Sequence, residues 1–104
     1  MLGPHTVTVI RPASRDNWGD TTAGAAETPV PGCFWQPVSS TEQQVAADIV
    51  EVVARLFMPP TADVKATDRI GFEGRTYAIE GRPALHHTPR GPHHYELELR
   101  DVEG

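Results

Sequence analysis

The segment Asp68-Arg-Ile-Gly-Phe-Glu-Gly-Arg-Thr-Tyr-Ala-Ile-Glu-Gly81 constrains the fold of this chain more than any other. Ile70 and Phe72 alternate with smaller or polar residues before Glu73-Gly74, and Tyr77 and Ile79 alternate after it. This is the period-two pattern of two strands joined by a tight turn. Gly74 supplies the positive φ that such a turn requires. The same alternation runs through His94-Tyr-Glu-Leu-Glu-Leu-Arg100, with Tyr95, Leu97 and Leu99 on one face and Glu96, Glu98 and Arg100 on the other. That is a strand with one wet face.

Other strands precede these. His5-Thr-Val-Thr-Val-Ile10 is rich in β-branched residues and stops at Arg11-Pro12. Cys33-Phe-Trp-Gln36 opens a second apolar stretch before Pro37. Ser39 to Met58 has two readings: Ser40-Thr-Glu-Gln-Gln44 resembles a helix N-cap, whereas Val50, Val52, Ala54, Leu56 and Met58 share one face of a long strand. The run of Ile49, Val50, Val52 and Val53 favours the strand, because β-branched side chains crowd a helix. Pro59-Pro60 ends the element either way. Ten prolines and nine glycines break the chain into short pieces, and His86 to Pro92 reads as a loop. The expectation is an all-β fold: a small antiparallel barrel or sandwich of five to six short strands, one domain over residues 1–104.

Residues 13–30 differ in character, being mostly Ala, Ser, Asp, Asn, Gly and Thr around Trp18, and they predict a long mobile loop. Loops over ~15 residues inside a compact domain are commonly functional or await a partner. Trp18, flanked by Asn17 and Gly19, is the kind of anchor that interfaces favour. Folding back over a small core is its competing role.

Composition excludes several function classes. Nine Lys and Arg against fourteen Asp and Glu give a formal charge of -5, the wrong sign for a protein whose main work is gripping phosphates. The single cysteine, Cys33, cannot form an internal disulfide and reads as a small buried hydrophobe in a reducing compartment. No apolar run approaches the ~18 residues of a membrane span, and Met1-Leu2-Gly3-Pro4 lacks the basic and apolar regions of a signal peptide, so a soluble protein is expected. His86-His87 and His93-His94 raise the question of zinc or copper. Neighbours on a strand face opposite ways, so each pair offers one well-placed nitrogen, and exposed loop histidines are the preferred reading. Asp16, Asp20, Glu27, Asp63 and Asp68 read as solvated loop carboxylates. No phosphate-binding glycine loop, HExxH or GxSxG is present, and the chain is read as a non-enzyme with no cofactor and no metal.

The order of Pro59-Pro-Thr-Ala-Asp63, Thr67-Asp-Arg-Ile70, Gly74-Arg-Thr-Tyr77, Ile79-Glu-Gly-Arg-Pro83 and His94-Tyr-Glu-Leu-Glu-Leu-Arg100 resembles the head closure, or head-to-tail stopper, proteins of long-tailed phages. The likeness covers about residues 45–102 and lies in order and spacing, not in any single residue. It implies a β-barrel that forms a six- or twelve-fold homo-oligomeric ring at the phage neck, beneath the portal and adaptor rings and above tail terminator or tail tube proteins. Such a protein assembles in the host cytoplasm and resides in the virion, next to packaged DNA that it does not read, and touches no membrane. The resemblance also implies that the loop bearing Arg15, Asp16, Asn17, Trp18 and Asp20 projects into the channel or a ring interface. A tail terminator, a peptide- or ligand-binding barrel using Phe34, Trp35 and Tyr77, and a histidine-based metalloenzyme are the competing classes.

Overall fold

The computed structural model describes residues 3–12, 26–45 and 48–102, with the backbone alone described for 39–45 and 48–50. Six strands occur in it: β1 (His5–Arg11), β2 (Ala26–Val45), β3 (Asp48–Met58), β4 (Arg69–Phe72), β5 (Arg75–Thr88) and β6 (Gly91–Asp101). They close into a barrel in the order β1-β2-β3-β6-β5-β4, every neighbouring pair antiparallel and β4 returning to β1. Closure removes the exposed sheet edge that a small antiparallel sheet would otherwise present.

The expected hairpin is the β4–β5 connection. Phe72 pairs with Arg75, and Glu73 (φ 51°) and Gly74 (φ 80°) both take positive φ, the type I′ combination whose twist matches its strands. The alternating residues of β6 face as read: Leu97 and Leu99 are wholly buried and Tyr95 packs against the core. Between 39 and 58 the strand reading holds and the helix reading fails, but the segment is not one long strand. Residues 41–45 belong to β2 and pair with 48–52 of β3. Val52, Ala54, Leu56 and Met58 are buried on one face as expected.

The strands are longer than their punctuation suggests, because prolines and glycines sit in β-bulges instead of ending strands. Pro31 and Gly32 (φ 74°) fall between the pairs Val7–Val30 and His5–Cys33, Pro37 begins an irregularity before Thr41, and Gly81 (φ 75°) to Pro83 fall between Glu80 and Ala84. A bulge tolerates a residue that cannot donate to the ladder and bends its strand. In β2 this bend lets residues 26–33 pair with β1 while 34–45 pair with β3. Two readings are corrected in consequence. Ala26–Val30 is strand, not loop, and His86 to Pro92 is a tight hairpin, with His87 paired to Pro92 and Thr88 to Gly91.

The core inside the barrel consists of Val7, Val9, Cys33, Ala54, Leu56, Met58, Ile70, Ile79, Leu97 and Leu99. Trp35 stacks on Phe72 (ring centroids 4.3 Å apart) and leans on Tyr77 (4.9 Å), adding an aromatic layer to that core. Two ribbons continue past the barrel wall. β3 pairs with β6 only from Ala54–Leu99 to Met58–Tyr95, so the β2–β3 hairpin runs beyond one end of that seam and the β5–β6 hairpin beyond the other.

Candidate functional site

The outer face of β3, β6 and β5 gathers the side chains with the most chemistry. Opposed residues of neighbouring strands share a face, and so do residues two apart along one strand. His86 of β5 lies opposite His94 of β6, and Glu96 is two residues beyond His94. The two imidazoles stack almost parallel, centroids 4.9 Å apart and planes 3° from each other. His86 Nε2 lies 3.3 Å and His94 Nε2 3.7 Å from the same oxygen, Glu96 Oε2. Arg55 of β3 approaches the other carboxylate oxygen, Oε1, at 3.3 Å. His93 Nδ1 stands 2.8 Å from His94 Nδ1. A shallow depression of about 230 Å³, lined by Glu80, Arg82, Ala84, His86, Glu96 and Glu98, opens beside the cluster.

Next to it lies an aromatic shelf. Phe34 and Phe57 are register partners on β2 and β3, their rings 5.9 Å apart, and Phe57 in turn lies 5.5 Å from the His94 ring. Phe34 is 40% exposed, unusual for so large an apolar side chain. With Gln36, His93 and His94 these rings line a mostly apolar hollow of about 330 Å³. Trp35, one residue on, turns inward, and its backbone N–H donates to His5 Nδ1 at 3.1 Å. Of the aromatics Phe34, Trp35 and Tyr77, only Phe34 is exposed, so they form no common platform.

The motif residue Asp68 departs from its sequence reading. It is buried, not solvated: Arg11 at the end of β1 donates Nε to Oδ1 at 3.1 Å and Nη2 to Oδ2 at 2.9 Å, and the Lys65 backbone N–H donates to Oδ2 at 2.8 Å. Arg11 Nη1 also reaches the exposed Asp63 carboxylate at 3.0 Å, which lowers the Asp63 pKa, while Asp68 first and Asp63 second raise that of the guanidinium. This fork ties the Pro59–Asp68 connection to the barrel, a structural job that accounts for Asp68 at this position. Cys33 is fully buried, and burial pushes its thiol up to about 11. A thiol held protonated at neutral pH is packing, not a nucleophile.

Arg15, Asp16, Asn17, Trp18 and Asp20 lie outside the described residues. Asp16, Asp20 and the remainder of the 13–25 segment lie there too. The His86–His94–Glu96 grouping is not legible in the sequence, where Pro89, Gly91 and Pro92 mark His86 to Pro92 as loop, whereas His86 lies in β5. Counting outward from the Pro89-Arg90 turn would set His86 opposite His93, and it is the register shift between His86 and His87 that sets it opposite His94 instead.

No protein-family model matches this chain, and no curated protein matches it. Among solved structures it is similar to the phage-like element PBSX protein xkdH from Bacillus subtilis, with a TM-score of 0.51 and 17% sequence identity. The superposition covers 95% of this chain and 94% of that one, so the shared feature is the fold taken from end to end.

Proposed function

We propose that this chain is a structural protein of a phage or phage-derived particle, and within that class a head-to-tail stopper that forms a ring between the portal–adaptor complex and the tail. One observation carries the reading: a barrel with its two ribbons superposes along nearly its whole length on a protein of a phage-like element. The ordered series from Pro59 to Arg100, read independently from the sequence, supports the same class. In this reading the barrel is a rigid hub, the two ribbons reach neighbouring subunits or rings, and the Phe34–Phe57 shelf is covered in the assembled ring. A formal charge of -5 suits a collar around DNA that must slide, since like charges keep the duplex off the wall.

The test is the native mass of the purified chain alone and with the portal–adaptor complex of its own particle. A ring that forms on docking supports the stopper. Assembly on isolated tail tubes in place of the portal side would assign a tail terminator, and a monomer indifferent to both would overturn the proposal. Phe34→Asp provides the local check, because a carboxylate at the centre of a covered apolar shelf is expected to abolish ring formation while leaving the barrel folded.

A further inference from the structure

We infer that His86, His94 and Glu96 form a binding site for a borderline divalent transition-metal ion, with zinc as the reference case. Three donor atoms of these residues lie within 4.8 Å of one another. A tetrahedral ion about 2.0–2.1 Å from its nitrogen and oxygen ligands keeps them about 3.4 Å apart. The two distances onto Glu96 Oε2, 3.3 and 3.7 Å, are at that spacing, while the parallel imidazole planes require one ring, the more exposed His86, to turn before both lone pairs meet one ion.

The surroundings support a cation at this point. His94 Nε2 is buried without a hydrogen-bond partner, and an unpartnered buried ring nitrogen needs an explanation. The 2.8 Å contact between His93 Nδ1 and His94 Nδ1 supplies one. With His94 as the donor its ring proton sits on Nδ1, and Nε2 turns a lone pair toward Glu96. That is the arrangement by which an outer partner orients a metal-binding histidine. Arg55 Nε, itself buried without a hydrogen bond, forms an ion pair with Glu96 Oε1 at 3.3 Å, on the side of the carboxylate away from Oε2. Of the other charged groups on this face, Glu80 pairs with Arg100 at 3.2 Å, and Glu80, Arg82 and Glu98 line the depression beside the cluster, where water can complete the coordination. Imidazole nitrogens with one carboxylate select zinc, copper or nickel over magnesium or calcium. Such an ion would staple β5 to β6 at the root of the ribbon.

The proposal is independent of the phage assignment, since it concerns the isolated chain. Tag-free protein, stripped with chelator, is titrated with Zn²⁺ by calorimetry and with Co²⁺ by visible spectroscopy. The expected result is saturable binding of one ion per chain, with tetrahedral Co²⁺ bands. His86→Ala and Glu96→Gln should each weaken it by at least about tenfold, His87→Ala should leave it unchanged, and Mg²⁺ should not compete. Circular dichroism establishes that each variant is folded. Side-chain ¹⁵N resonances of His86 and His94, but not His5, should move on zinc addition, which reads the site in the unmutated chain. Absence of saturable uptake at about tenfold excess of zinc, or uptake that survives both variants, overturns the site.

Discussion

Replacing Asp68 by asparagine separates the structural reading of this residue from the solvated one most sharply. The side chain is 0% exposed and accepts three hydrogen bonds, two from Arg11 and one from Lys65 N–H. Asparagine keeps the shape and one acceptor oxygen, but it loses the charge and sets an NH2 group against the guanidinium N–H groups. A hydrogen bond to a charged partner contributes about 1.5–3 kcal/mol, and a buried group left unpaired costs about 1–3 kcal/mol. Arg11 is partly exposed and retains Asp63, so water recovers part of that loss. The expected destabilisation from Asp68→Asn is therefore about 2–3 kcal/mol. For a domain of this length that is a fall in Tm of roughly 10–20 °C. Chemical and thermal unfolding, followed by circular dichroism, measure it. A solvated loop carboxylate would cost under about 0.5 kcal/mol. A shift that small would refute the fork as the anchor of the Pro59–Asp68 connection.

Three further outcomes are expected. Gly74→Ala should cost about 1–2 kcal/mol through backbone strain alone, because φ is +80° while nothing lies within 4 Å of the new Cβ; a neutral result in urea unfolding would remove the positive-φ argument for the turn. Cys33, its thiol pushed up to about 11, should resist alkylation at pH 8 and become fully reactive in denaturant, and fast labelling of the folded protein would contradict its burial. Arg11 depresses the folded-state pKa of Asp63, so this pair's contribution to stability is complete above the ordinary carboxylate value of about 4 and is lost as pH falls through the lower folded value. Asp63→Asn should then flatten the Tm profile in that acidic window, lying slightly below the parent protein near neutrality and converging with it in acid.

Period-two alternation and the Glu73-Gly74 turn were sufficient by themselves to determine an all-β chain, the inward residues of β6 and the β4–β5 hairpin, because both are local: a pleat and a two-residue turn need only their own side chains. Strand length was not local. Pro31, Gly32, Pro37, Gly81 and Pro83 read as breaks, yet each is accommodated in a bulge whose cost is met by ladder bonds on either side, a matter of which strand lies opposite. The same holds for the chemistry. Asp68 became a buried anchor only when the barrel brought Arg11 to it across 57 residues. His86, His94 and Glu96 became one cluster only when the register of β5 on β6 was set. Sequence decided which residues face the core; closure of the barrel decided which polar groups on its outside meet.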